Sequence, residues 1–283
     1  MTEEQQKEFL LNIKQETPIY KIIRYDYLLE MLNTNSLKLV SPSKWDDPYE
    51  NIYLKSTKNL IMLNDDNVVT EVKTINSKAA VDSIYGQCWS LKPETDALWR
   101  IYSNKENIGV KIKTTVGKLF KEIYNNSSKN KYKGSPYLGK VMYIQENNIK
   151  EIIEELTRKT TNTLHGLNLY PLLIKRKEFS HENELRLLFQ VFMSDIFKEP
   201  KDVFKYNGNL PEIIDVKINA ESLIEEIVID PRTPIEEFQK MKIEIQSIIP
   251  MKVIKSKLYD VPNLKFEHVC KYSKDGKNIE LIH

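Results

Sequence analysis

Glu182, Glu184 and Arg186 alternate within Phe179-Ser180-His181-Glu182-Asn183-Glu184-Leu185-Arg186. In extended chain this spacing sets two carboxylates and a guanidinium on one face. Such a set can hydrogen-bond a pair of ribose hydroxyls and favour positive charge at a sugar carbon, as carboxylates do for oxocarbenium-like transition states. The same residues on a solvated edge strand form only an internal Glu184–Arg186 pair of little worth. Both readings are open at this point. Arginine is otherwise scarce: Arg24, Arg100, Arg158, Arg176, Arg186 and Arg232 are the six among 42 basic residues. Each marks a place where a fixed bidentate fork does what a lysine cannot.

Other chemistries find less support. The chain has 8 glycines and neither a Gly-x-Gly-x-x-Gly nor a Gly-x-x-x-x-Gly-Lys-Ser/Thr run, so a Rossmann or P-loop phosphate cradle is not expected. His165, His181, His268 and His283 show no metal-ligand spacing, and Cys88 and Cys270 lie far apart. No metal site is therefore expected, although His268 and Cys270 share a face if that segment is extended. Cys88 sits in an apolar run and reads as a small, unreactive core residue. Two further classes stay open: a nuclease using Glu182, Glu184 and Asp47 with a divalent metal, and a non-enzymatic binding module. Lys+Arg 42 against Asp+Glu 40 gives no global electrostatic argument for nucleic acid or a membrane surface.

The elements that must position these residues follow from periodicity. The chain of 283 residues is 41% hydrophobic and 29% charged, which indicates a soluble protein with a real core, placed by its two cysteines in a reducing cytoplasm. Phe9, Leu10 and Ile13 predict a short helix over Thr2 to Gln15, ended by Thr17-Pro18. Strands are predicted at Ile19 to Arg24, Ser36 to Val40, Ile84 to Ser90, Gly109 to Ile112, Val141 to Ile144, Glu184 to Phe192, Ile213 to Ile218, Ile224 to Ile229 and Lys252 to Lys257. Helices are predicted at Tyr27 to Leu32 with Asp26 as cap, Glu94 to Tyr102, Val116 to Tyr124, within Ile149 to Leu173, and Pro234 to Ile248. Ile52 to Asn76 carries no clean period, and Asn125 to Gly134 reads as a polar loop. Trp45, Trp89 and Trp99 read as core, and Asp46-Asp47-Pro48 as an Asx-type bend. Strands and helices interleave irregularly, so the fold class is α+β, with an N-terminal helical extension over 1–18, one domain over 19–260 and a tail over 261–283.

The order of these segments carries a resemblance. Ile19-Tyr20-Lys21-Ile22-Ile23-Arg24 is followed by Ser41-Pro42-Ser43-Lys44-Trp45-Asp46-Asp47-Pro48-Tyr49-Glu50, then Cys88-Trp89-Ser90, then Trp99 to Tyr102 with Gly109-Val110 behind it, then Glu182-Asn183-Glu184-Leu185-Arg186. This resembles a bacterial family catalogued as domain of unknown function 2971, with Ile227-Val228-Ile229-Asp230-Pro231-Arg232 as its late strand and turn. Trp45 and Asp46 stand where that family usually has Phe and Asn, and Arg100-Ile101 where it usually has Ala-His.

The same order also resembles the Arg–Ser–Glu pattern of ADP-ribosyltransferases. That resemblance implies a split β-sheet core with flanking helices, NAD as substrate, and transfer of ADP-ribose to a protein or nucleic acid, or NAD hydrolysis, in a toxin or phage-defence setting. It implies that Arg24 holds a phosphate or ribose of the dinucleotide, that Ser90 supports the nicotinamide side, that Glu184 bonds the ribose beside the scissile bond, and that Glu182 is the first glutamate of a Glu-x-Glu pair. Arg186 joins the dinucleotide-binding set and braces its strand. Tyr49 and Tyr102 are candidates to stack on a nicotinamide or adenine ring, and Glu50 is a candidate partner of Arg24.

Overall fold

Register among the central strands decides which polar side chains meet. A computed structural model describes residues 9–11, 13–56, 58–75, 82–104, 106–159, 169–192, 194, 208, 210–274 and 279–282. Its strands are β1 (Leu10–Leu11), β2 (Pro18–Arg24), β3 (Ser36–Val40), β4 (Lys58–Leu63), β5 (Val69–Ile75), β6 (Ile84–Ser90), β7 (Gly109–Thr115), β8 (Gly134–Lys140), β9 (Met142–Ile144), β10 (Ile174–Arg176), β11 (Glu184–Val191), β12 (Ile213–Lys217), β13 (Glu226–Ile229), β14 (Val253–Lys255), β15 (Val269–Tyr272) and β16 (Ile279–Ile282). Three pairs, β4–β5, β9–β10 and β15–β16, are separate two-stranded ribbons, and the rest form one 10-stranded sheet in the order β1-β8-β11-β6-β2-β7-β13-β14, with β3 and β12 branching from β6.

The sheet forks at β6. Antiparallel β6 and β11 pair from Ile84↔Gln190 to Ser90↔Glu184, and β2 pairs along its whole length with β7. Between β2 and β6 there is one rung, Tyr20↔Ser90, and the other end of β6 meets β3 through Val40↔Gly86. Tyr20, Ser90 and Glu184 therefore stand in one row across three strands, on one face of the sheet.

Helices cover the apolar faces. The helix Val116–Asn126 buries Val116, Leu119, Phe120 and Ile123, the 3.6-residue period of a half-buried helix. Thr115 caps it by accepting from Lys118 N at 3.3 Å. Tyr25–Thr34 buries Leu28, Met31 and Leu32, and Ile235–Ile248 buries Phe238, Met241 and Ile245. These join Leu185, Leu187, Phe189 and Val191 of β11 in the main core. Leu188 belongs instead to a second cluster with Ile84, Tyr137, Leu172 and Leu173. Glu184 and Arg186, in phase with Leu188, thus point under that second layer and not into solvent.

The sequence reading departs from the structure in several places. Residues 1–8 lie outside the described residues, and Leu10–Leu11 forms a strand parallel to β8 where a helix is expected. Tyr25–Thr34 starts without a side-chain cap, because the Asp26 carboxylate is taken by Arg24. The chain from Lys177 to Glu182 is a 3-10 turn, closed by Asn183 with φ 46°, so the extended stretch begins only at Glu184; Asn tolerates this left-handed conformation better than most residues. Among the described residues no helix is long and apolar enough to cross a membrane.

Candidate active site

A cleft opens at the fork, with Tyr20 and Lys21 of β2 on one wall, Cys88 and Ser90 of β6 at its base, and Tyr102, Glu182 and Glu184 around it. Where β2 leaves β6, the strand edge of β6 lacks a neighbour. The Lys21 ammonium fills that gap by donating to the Cys88 carbonyl at 2.8 Å. Ser90 is fully engaged: its hydroxyl donates to the Glu182 carbonyl at 2.9 Å and accepts from Lys92 N at 3.1 Å.

Behind the cleft lies a buried charge cluster. Lys175 Nζ is 2.6 Å from Glu182 Oε2, 2.8 Å from Glu184 Oε1 and 3.1 Å from Glu50 Oε1. Arg186 is 0% exposed. Its Nε donates to Glu184 Oε2 at 3.0 Å, its Nη1 donates to the Leu172 carbonyl at 2.5 Å, and its Nη2 lies 2.9 Å from both Glu50 Oε2 and Glu184 Oε2. The Trp45 ring stacks on this guanidinium, 4.5 Å from centroid to Cζ. The Glu184 N–H donates to the Tyr143 hydroxyl at 2.7 Å.

Two cations thus balance three carboxylates, and the two glutamates titrate apart. Burial and its hydrogen bond with Glu184 push Glu182 up to about 7. Burial acts against ionisation of Glu184 as well, but the hydrogen bond from Glu182 together with Arg186 and Lys175 overcomes it and holds Glu184 well below the usual carboxylate range. The pair thus loses its protons in two separated steps, which belong to the pair as a whole. Burial lowers the Lys21 ammonium and pushes the Cys88 thiol up to about 11.

Of the residues singled out from sequence, Ser90, Tyr102, Glu182 and Glu184 meet at the cleft, and Arg186 sits directly behind Glu184. Arg24 does not line it. It lies four residues beyond the Tyr20 row, about 13 Å along the strand, and its guanidinium is held by Asp26 and stacked over Tyr27. Tyr49 faces Arg176, which covers its ring at 4.6 Å, and bonds Glu146. Glu50 partners Lys175 and Arg186 in place of Arg24. Asp47 accepts from Tyr49 N at 3.1 Å, the expected Asx bend, and also takes both Nε and Nη2 of Arg176. Cys88 is half-buried at the cleft, less enclosed than its apolar run suggests. His165 and His283 lie outside the described residues.

Lys21, Lys175 and Tyr143 escape the sequence reading, while Trp45, read as core, packs on the second cluster and over Arg186. Lys175 is one lysine among many, and only the ladder β9–β10, with Ile174↔Met142 and Arg176↔Ile144, brings it under the Glu184 strand. A sign of Glu50 existed in the turn-rich loop, whose closing carboxylate follows an Asx bend.

Residues 98–187 match the family model described as "Protein of unknown function (DUF2971)". Among solved structures, the chain is similar to DarT of Thermus sp. 2.9 in complex with carba-NAD+, at 10% identity over 87% of this chain and 98% of that one, with a TM-score of 0.34. The same protein in complex with NAD+ matches at 11% identity over 87% and 98%, TM-score 0.33, and in complex with ADP-ribosylated ssDNA at 14% identity over 86% and 96%, TM-score 0.33. No curated protein matches the chain.

Proposed function

We propose that the fork binds NAD and that the chain is an ADP-ribosyltransferase of the split-sheet type, passing ADP-ribose to a macromolecular acceptor or, without one, to water. The reading rests on a single observation: a pair of carboxylates at the cleft, Glu182 and Glu184, bridged by the one ammonium of Lys175. Glu184 remains anionic and supports positive charge at the ribose carbon as the bond to nicotinamide breaks and its electron pair leaves with the nicotinamide nitrogen. The acceptor then bonds that carbon and gives up its proton, which Glu182 takes. Tyr20 and Tyr102 offer aromatic faces to the bound rings, and Lys21 and Lys92 offer cations to the pyrophosphate.

The nuclease alternative is weaker. It needs Asp47 beside the two glutamates, and the Asp47 carboxylate is held by Arg176 instead. Among the described residues no three His, Cys, Asp or Glu are grouped to hold a metal ion. The deciding experiment is incubation with NAD labelled in the adenylate, in the presence of single-stranded DNA, RNA and cell protein. Free nicotinamide together with label on one acceptor supports the reading, and intact NAD in every mixture rejects it.

A further inference from the structure

Lys175 touches three acidic side chains from three separate pieces of chain: Glu50 from the 3-10 turn Pro48–Asn51, Glu182 from the turn Lys177–Glu182, and Glu184 from β11. It is 8% exposed and its ammonium lies over the Phe179 ring at 4.7 Å, so water does not compete for its three donors. Lys175 itself rides on β10, the parallel partner of β9, and β9 supplies Tyr143, whose hydroxyl accepts from Glu184 N. The loop carrying Glu50 is fastened at two more points, by Asp47 to Arg176 and by Asn51 Nδ2 donating to the Pro42 carbonyl at 2.5 Å. Glu182 closes the 3-10 turn Lys177–Glu182, and its carboxylate is held beside Glu184 by this ammonium.

We propose that Lys175 is a positioning residue that, with Glu50 as counterweight, seats the Glu182 carboxylate against Glu184. This rests on the NAD-cleaving reading of the cleft for its catalytic meaning, while the seating itself is a property of the free protein. The charged and titratable groups around Glu182 are Lys175 on β10, Glu184 on β11, Tyr143 on β9 and Tyr102, with Lys21, Cys88 and Lys92 lining the same cleft; Glu50 and Arg186 reach it through Lys175 and Glu184. Of these, Lys175 is the cation within hydrogen-bond distance of Glu182, so its removal moves the Glu182 midpoint in a known direction.

The test is a carboxyl-carbon NMR titration of the full chain, without substrate. Lys175→Met withdraws the cation that favours ionised Glu182, and the midpoint moves to higher pH; Glu50→Gln withdraws a like charge, and it moves to lower pH; Lys175→Arg restores most of the wild-type value. A side chain that merely fills space does not produce opposite shifts. In the wild type, the Lys175 ammonium nitrogen should report the same midpoint as the Glu182 carboxyl, a measurement that needs no variant to fold. Independent titration of the two groups, or a folded Lys175→Met protein with an unmoved Glu182 midpoint, overturns the proposal. In NAD cleavage, Lys175→Met lowers kcat by about 100-fold with little change in KM, the scale of a misplaced reacting group. If the titrations behave as described and the wild type leaves NAD intact, the positioning holds and the NAD reading falls.

Discussion

The Ser90 hydroxyl donates to the carbonyl oxygen of Glu182 at 2.9 Å, joining the end of β6 to a turn 92 residues later. Glu184 pairs with Ser90 in the adjoining ladder, so one serine fixes both the backbone of the first glutamate and the register of the second. Ser90→Ala should cost about 1 kcal/mol in denaturant unfolding and lower turnover more than it raises KM for NAD. If Ser90 acted only as a contact for bound nicotinamide, KM would rise while stability stayed put.

Glu184 balances two buried cations, Lys175 and Arg186. Glu184→Gln keeps the shape and loses the charge, so NAD cleavage should fall by about 100-fold or more. Stability should fall too, by about 1–3 kcal/mol, which makes it necessary to assay well below the lowered Tm. Full turnover in a folded Glu184→Gln protein contradicts the role assigned to this carboxylate.

Glu182 is raised from the ordinary 4.5 to about 7. Between those two values the folded state binds the proton more tightly than the unfolded chain does, so this group's contribution to stability declines as pH rises through the window and stays low above it. Glu182→Gln removes that decline, and its Tm relative to wild type should be higher at about pH 8 than at about pH 5. Acceptor-dependent transfer by the wild type, which needs the ionised base, should increase through the same window, whereas the variant's residual rate should be flat.

Lys21 lines the cleft and Arg24 does not. Lys21→Met should therefore raise the Kd for NAD measured calorimetrically by about 10-fold or more, the scale of one charge-assisted hydrogen bond. Arg24→Gln should leave that Kd within experimental error. The reverse ranking would return the dinucleotide to the far end of β2.

A Cβ added at Gly86 would come within 2.6 Å of Trp45 Cζ2, so the ring must leave its stack on Arg186. Gly86→Ala should destabilise by about 1–3 kcal/mol. In a Trp45→Leu background most of that cost should vanish, and a double-mutant cycle that finds the two changes additive speaks against the clash.

Much of the scaffold was legible because apolar alternation and burial agree. Leu185, Leu187, Phe189 and Val191 mark one face of β11 in the sequence and lie in the main core. What alternation cannot tell is whether the other face meets water. Glu184 and Arg186 read equally well as an exposed edge, and only the 42–51 loop and the 170–173 turn laid over them turn that face inward. β8 was missed for a different reason: Gly-Ser-Pro-Tyr-Leu-Gly-Lys has no β-branched residue, and the segment is a strand because β11 pairs with it along its whole length. The ADP-ribosyltransferase resemblance implies that Arg24, Ser90 and Glu184 meet, and Ser90 and Glu184 do line one cleft without Arg24, while Lys21 and Lys175 carry no local signal. Their roles come from where a strand diverges and where a short parallel ribbon passes.

With Tyr20↔Ser90 the single rung between β2 and β6, the sheet is mechanically two plates on a common pin. Each plate is laced throughout its own width, β6 to β11 and β2 to β7, and besides this rung the Lys21 tether and the shared core join them. A guest lodged in the fork spans both plates at once. It would act as a second rung beside the first.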